Sequence, residues 1–310
     1  MEFFKEEKCI FKKFLPFILL ILSLFVFLEN GLTETESGKI TLCDGTKIYY
    51  EAMGDPRHQN ILFIHGWSCS SLYWQKQLKG LSSKYYTVAI DLRGHGRSDK
   101  PPFGYTLAYM ARDVHEFIEK LNLKDVFLVG WSMGGSIVFE YLRQFKGEDL
   151  KGICIVDIGP YSWKTDDYPI GYLDYKKRLK LTHRYSMRYQ DPEYDGSGFV
   201  EKMFFQRPNP HLLEKLKAEY KRVPAYVRSL LIMELFCSDY RSVLSQIDVP
   251  TLIILGSWSK KGKGFPVGEY MQKKIRGSRL VSFSKSGHCP FLEEADRFNH
   301  VLSEFIEANR

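Results

Sequence analysis

The sequence predicts an α/β fold, a mostly parallel and doubly wound sheet carrying one helical insertion. Three observations point there. Short apolar runs of the kind buried parallel strands show recur along the chain, at Ile61–Ile64, Val88–Leu92, Val126–Gly130, Ile153–Asp157, Leu252–Leu255 and Leu280–Phe283. Helical patterns separate most of them, so strand and helix alternate and both faces of the sheet are covered, with crossovers of the usual hand. The rhythm breaks once, between Gly159 and Gln246, where no convincing buried strand can be read.

Taken in order, the chain opens on a segment that stands apart from the fold. Lys5, Lys8, Lys12 and Lys13 precede an uncharged run from Phe14 to Leu28, which Glu29 ends. A basic flank followed by an apolar run is the layout of a secretory signal. Fifteen residues at a rise of ~1.5 Å each reach ~22 Å, short of a hydrocarbon core of ~30 Å, a gap that snorkelling lysines and local thinning can close. No small-x-small cleavage site follows, since Glu29-Asn30-Gly31 puts a charge where a small residue belongs. Residues 1–31 therefore read as an uncleaved signal-anchor, with a cleaved signal peptide as the alternative. The lysines lie before the run, so the N-terminus is expected in the cytoplasm. The body is then expected outside it as a single-pass, membrane-anchored protein, or secreted if the segment is removed.

The body follows. Thr41–Tyr50 places β-formers on both sides of Asp44-Gly45, a strong hairpin signal. Leu107–Leu121 carries Leu107, Met110, Val114, Phe117, Ile118 and Leu121 at three- and four-residue spacing, and Met133–Phe145 and Phe291–Ile306 behave similarly. The interval from Gly159 to Gln246 holds aromatic-rich helical stretches, Tyr172–Leu181, His211–Val223 and Tyr226–Phe236, divided by Pro169, Pro192, Pro208, Pro210 and Pro224. It reads as a helical cap inserted between two strands. The domain plan is a core of residues 39–158 and 247–310 with a cap over 159–246.

Composition removes several classes. In 310 residues, 44% hydrophobic content is ample for a packed core, which excludes collagen-like, low-complexity and disordered chains. The net charge is +7. Part of the excess clusters at Lys260, Lys261, Lys263, Lys273, Lys274, Arg276 and Arg279, against Glu269. One basic loop-and-helix is read as a solvated face, and no nucleic-acid partner is expected. The body has Cys43, Cys69, Cys154, Cys237 and Cys289, an odd number, so at least one thiol stays free or pairs with another chain. Cys154 sits in an apolar run and reads as core. No C-x-x-C or zinc spacing occurs, and neither metal nor cofactor is implied.

The chemistry begins at Gly130-Trp131-Ser132-Met133-Gly134, with Gly135 after it. G-x-S-x-G alone is a modest signal, but here it follows an apolar strand and opens an amphipathic helix, the context the motif requires. A nucleophile on a sharp strand-to-helix turn strains its backbone, so its neighbours must be glycines that clear the turn. The helix N-terminus then supplies N–H groups and a positive dipole end.

With three further segments the chain resembles the α/β-hydrolase family. His65-Gly66-Trp67 is similar to its oxyanion loop, Asp91-Leu92-Arg93-Gly94-His95-Gly96-Arg97-Ser98 to its D-x-R-G-x-G-x-S segment, and Gly287-His288-Cys289-Pro290-Phe291-Leu292-Glu293 to its late G-H-x-P-x-x-E segment. The likeness covers roughly residues 39 to 308 in order, the cap being least characteristic, and the capped esterase and cofactor-free haloperoxidase-like subgroup is nearest. The resemblance implies that Ser132 is the nucleophile, His288 its general base, and the backbone N–H groups of Met133 and Trp67 the oxyanion donors. Their side chains are then free to shape the pocket. His65, His95 and Arg93 read as scaffolding of their loops.

The acid departs from the family pattern. Most relatives carry it shortly after the penultimate strand, but Leu255-Gly256-Ser257-Trp258-Ser259-Lys260 has no carboxylate before Glu269, and Ser259 stands where an Asp is expected. Either the site is a dyad or the acid comes from elsewhere. Asp157 is the best substitute: it closes the strand next to the nucleophile's, and some relatives place the acid there. A charge ending an apolar run is costly without a partner, and His288 is available. Asp248 lies before its strand, at the wrong end of the sheet.

A serine at position 132 excludes the dehalogenase and epoxide-hydrolase chemistry of relatives with Asp there. What remains is hydrolysis of small carboxylic esters or thioesters, lipid-like ones included, through an acyl-enzyme. Perhydrolysis and carbon–carbon bond hydrolysis at the same site, or a ligand-sensing role on a hydrolase fold, are the alternatives.

Overall fold

The computed structural model describes residues 35–190, 195–257 and 265–310. The hairpin forms as β1 (Glu36–Thr41) and β2 (Lys47–Met53), paired antiparallel. Gly45 takes φ +85° at its turn, where a side chain would be strained, and Asp44 accepts the Thr46 N–H at 2.9 Å. The buried runs become β3 (Asn60–Ile64), β4 (Tyr86–Ile90), β5 (Val126–Trp131) and β6 (Leu150–Val156). After a two-stranded ribbon of β7 (Trp163–Lys164) and β8 (Leu173–Asp174) come β9 (Thr251–Gly256) and β10 (Arg279–Phe283). Eight strands make one sheet in the order β1-β2-β4-β3-β5-β6-β9-β10, parallel from β4 through to β10. The predicted α/β architecture with a mostly parallel sheet is what forms.

The helices that cover it are α1 (Gln75–Leu81), α2 (Leu107–Lys120) and α3 (Met133–Phe145), then, between β6 and β9, α4 (Arg178–Gln190), α5 (Gly198–Lys202), α6 (Pro210–Arg222) and α7 (Ala225–Cys237). Three more close the chain: α8 (Phe265–Lys274), α9 (Pro290–Glu293) and α10 (Ala295–Glu307). In α2 the predicted apolar stripe is buried from Leu107 to Ile118, and Thr106 caps it by accepting the Tyr109 N–H at 3.1 Å. Each such apolar side chain contributes about 1.5–3 kcal/mol when taken out of water. Cys154 lies in the sheet core, 1% exposed.

Two local expectations are corrected, and two small elements carry no signal in the sequence. The helix expected over Phe291–Ile306 is two, because Glu294 leaves helical space (φ −122°, ψ 53°), with its carboxylate held by Ser286 Oγ at 2.6 Å. The helix expected from Tyr172 starts at Arg178, after a strand residue pair and a tight 3-10 turn capped by Asp174. The short helix α1 escaped notice because its buried residues include Gln77, a polar residue that breaks the apolar pattern; its amide bonds the Phe291 carbonyl at 2.8 Å. In the inserted segment the ribbon β7–β8 is too short to read.

The membrane expectation falls as well. Among the described residues no helix is long and apolar enough to cross a membrane, and the run Phe14–Leu28 lies outside them. The signal-anchor, the transmembrane helix and the membrane-anchored location are therefore not borne out by any described residue.

Candidate active site

The strand order reverses around β3, whose two neighbours are β4 and β5, and such a switch point, outside the carboxyl ends of the strands, is where open α/β sheets bind their ligands. Each predicted site residue lies just past such an end. Ser132 follows β5, Asp157 follows β6, His65-Gly66-Trp67 follows β3, and His288 follows β10.

Ser132 adopts φ 53° and ψ −119°, the strained elbow the motif requires. Its surroundings explain the glycines. A Cβ on Gly134 would meet the Ile64 carbonyl oxygen at 2.4 Å, one on Gly130 the Gly134 carbonyl oxygen at 2.4 Å, and one on Gly66 the Ser132 Cβ at 3.2 Å. The oxyanion loop therefore lies against the elbow itself. Ser132 N–H donates to the Val156 carbonyl at 2.9 Å, which ties the elbow to the end of β6 one residue before Asp157. Met133 is the first residue of α3, so its N–H has no acceptor within the helix.

Asp157 and His288 are together. His288 Nδ1 lies 2.5 Å from Asp157 Oδ2, while Asp157 Oδ1 accepts the Gly256 N–H at 2.8 Å. Both residues are buried, 7% exposed each. Asp157 takes φ 49°, a left-handed state that Asp tolerates better than most residues. Gly256 closes β9, the strand after which the family's usual acid would come. A Cβ there would lie 1.7 Å from the Gly287 carbonyl oxygen, so this strand end touches both the acid and the histidine loop through backbone. Ser259 lies outside the described residues. The other carboxylates are elsewhere: Asp239 pairs with Arg241, Glu269 is exposed on α8, and Asp248 precedes β9.

Two partners of the histidine loop were not legible in the sequence. Trp131 Nε1 donates to the His288 carbonyl at 2.7 Å, and the His288 N–H donates to the Met203 carbonyl at 2.6 Å. The first was hidden because Trp131 occupies a variable position of the motif. The second comes from the inserted segment, which carries no motif.

The scaffolding histidines hold their loops in the neutral form. His65 Nδ1 faces the Gly66 carbonyl at 2.8 Å and its Nε2 accepts the Leu92 N–H at 3.0 Å. His95 Nδ1 faces the Arg93 carbonyl at 2.9 Å and its Nε2 accepts the Ser68 N–H at 3.3 Å. Burial pushes His65 down to about 4, and burial together with the neighbouring His65 pushes His95 well below the usual histidine range. Arg93 is fully buried between Asp113 at 2.5 Å and Asp44 at 2.8 Å. Of the two residues whose backbone is expected to bind the oxyanion, Met133 is 0% exposed, and the Trp67 ring donates to the Arg228 carbonyl at 3.0 Å and meets Phe199 and Tyr220 edge-on. Arg228, Phe199 and Tyr220 of the inserted segment thus touch the oxyanion loop at Trp67. Among the described residues no cluster of His, Cys, Asp and Glu could hold a metal ion.

Comparison with known proteins agrees with this fold. The profile of the alpha/beta hydrolase family matches residues 61–301. A bifunctional esterase/perhydrolase from Acinetobacter calcoaceticus is 27% identical over 286 residues, 87% of this chain and 100% of that protein. A non-heme haloperoxidase from Rhodococcus erythropolis is 29% identical over 87% of this chain and 99% of its own. Among solved structures, an esterase from Exiguobacterium antarcticum superposes with a TM-score of 0.77 at 30% identity, covering 87% of this chain and 98% of that one. By its sheet order, its elbow serine and this span of similarity, the chain belongs to the α/β-hydrolase family.

Proposed function

We propose that the protein is a serine hydrolase of small carboxylic esters and thioesters, working through an acyl-enzyme on Ser132. The observation that carries this reading is the 2.5 Å contact of His288 Nδ1 with Asp157 Oδ2 beside a strained serine elbow. Ser132 Oγ attacks the acyl carbonyl and passes its proton to His288 Nε2. Asp157 holds the ring in the tautomer with hydrogen on Nδ1 and stabilises the imidazolium. The oxyanion of the tetrahedral intermediate accepts from the Met133 and Trp67 N–H groups. The intermediate collapses, His288 returns the proton to the leaving alcohol or thiol, and a water activated by the same base releases the acid. The inserted segment acts as a cap, since Trp67 is shut in by Arg228, Phe199 and Tyr220.

Perhydrolysis is a second reading, favoured by the Acinetobacter relative that is named for both activities. It uses the same acyl-enzyme with hydrogen peroxide in place of water. A panel of short-chain and long-chain p-nitrophenyl esters and acyl thioesters, with and without peroxide, tests both. Hydrolysis that Ser132→Ala abolishes supports the reading, and no turnover of any ester by folded wild type contradicts it.

A further inference from the structure

The His288 loop is bolted to the inserted segment, and one carboxylate makes most of the connection. Glu293 Oε2 accepts the Gly287 N–H at 2.6 Å. Its Oε1 accepts the Phe205 N–H at 2.8 Å and the Gln206 N–H at 3.3 Å. One side chain on α9 thus satisfies backbone donors from two chain segments that are about eighty residues apart. Beside it the His288 N–H donates directly to the Met203 carbonyl at 2.6 Å. The approach is close enough to need a glycine: a Cβ on Gly287 would lie 2.5 Å from the Met203 carbonyl oxygen and 2.6 Å from the Phe205 nitrogen. Burial raises the Glu293 carboxyl above the usual range while the three N–H bonds oppose that rise.

The geometry points to Glu293 as a positioning residue for His288, acting by locking the Met203–Gln206 backbone of the inserted segment to the loop that carries the base. This rests on the serine-hydrolase reading of the site. Ionised, the carboxylate offers four lone-pair sites and no donor, so it can take all three N–H groups at once. A glutamine offers one oxygen and an NH2 that must face a backbone donor, so at least one bond is lost and one contact turns repulsive. An aspartate keeps the charge but is one methylene short of bridging both segments. A base that drifts by about 1 Å costs on the order of 10²-fold in rate. Substrate contacts elsewhere in the crevice are untouched, so KM should stay near its wild-type value.

The full chain tests this through Glu293→Gln and, from the other side of the contact, Gly287→Ala. The expected result is a fall in kcat of roughly 10²-fold with little change in KM, with a parallel fall in the rate of Ser132 labelling by a fluorophosphonate. Faster amide hydrogen exchange at Gly287, His288, Phe205 and Gln206 should accompany it in both variants. Glu293→Asp is expected to recover neither kcat nor exchange protection fully. Wild-type kcat, or a loss of activity that only follows a smaller folded fraction in thermal unfolding, overturns the proposal. If wild type neither labels nor turns over, the hydrolase reading fails instead. The exchange data still decide the contact: unchanged protection in Glu293→Gln overturns it.

Discussion

Asp157 owes its position to the end of β6, where the chain leaves the sheet in a left-handed turn and aims both carboxylate oxygens along the strand ends. One oxygen is held by Gly256, the other meets His288. That division of labour gives a clear expectation for Asp157→Asn. The amide keeps the shape and the Gly256 bond, loses the charge, and no longer fixes the imidazole tautomer. kcat should fall by up to ~10⁴, the size the same exchange has in a serine protease, with the fold intact. Near-normal kcat in Asp157→Asn, with Glu269 or Asp239 proving essential by the same substitution, would remove Asp157 from the account. The residue was readable as a candidate because an acid ending an apolar run demands a partner. Its contact with Gly256 was not, because backbone donors carry no sequence signal.

At the scale of elements, the elbow and the oxyanion loop are one packed unit rather than two motifs. Gly134 sits where any Cβ would press into the Ile64 and His65 carbonyl oxygens, at 2.4 and 2.9 Å. These are backbone atoms of a buried strand and its exit, so they can yield only by moving the loop. Gly134→Ala should therefore destabilise the fold by about 1–3 kcal/mol, the usual size of overpacking, and should lower Ser132 reactivity beyond what the lost folded fraction explains. Unchanged thermal unfolding and labelling rates would show that the loop has more room than the contacts imply. Strands and amphipathic helices were legible because burial on two faces or on one stripe dictates their periods. The insertion was less so. α4 starts six residues late because Asp174 caps a 3-10 turn there, and the tertiary bond from Ser286 to Glu294 splits the last helix. Position 259, where the family's acid is expected, lies outside the described residues, and Asp157 was reached from its strand-end position, the acid some relatives place there, and the electrostatic need of a charge closing an apolar run.

For the molecule as a whole, two buried neutral histidines make stability depend on pH. The folded pKa of His65 is depressed from 6.5 to about 4, and His95 lies well below its usual range. A histidine with a depressed pKa contributes stability that is present above its unfolded pKa and lost as pH falls toward its folded pKa. Unfolding should therefore become easier from about pH 6.5 down to about 4, by roughly 3 kcal/mol from His65 alone, at about 1.4 kcal/mol for every pH unit between its unfolded and folded values. Burial also raises Asp113 to about 6, so its protonation offsets part of this loss over the same range. Urea midpoints of wild type and His65→Gln measured across that range check it, and a difference between the two that is independent of pH would contradict the buried neutral histidine. The claim on which the rest depends is that Ser132 is a nucleophile activated by the Asp157–His288 pair. Mass spectrometry of the full chain after treatment with a fluorophosphonate tests it most directly. The account predicts one adduct, on the peptide holding Ser132, absent from Ser132→Ala and formed far more slowly in Asp157→Asn. An unlabelled wild-type protein, or an adduct that persists in Ser132→Ala, would contradict it.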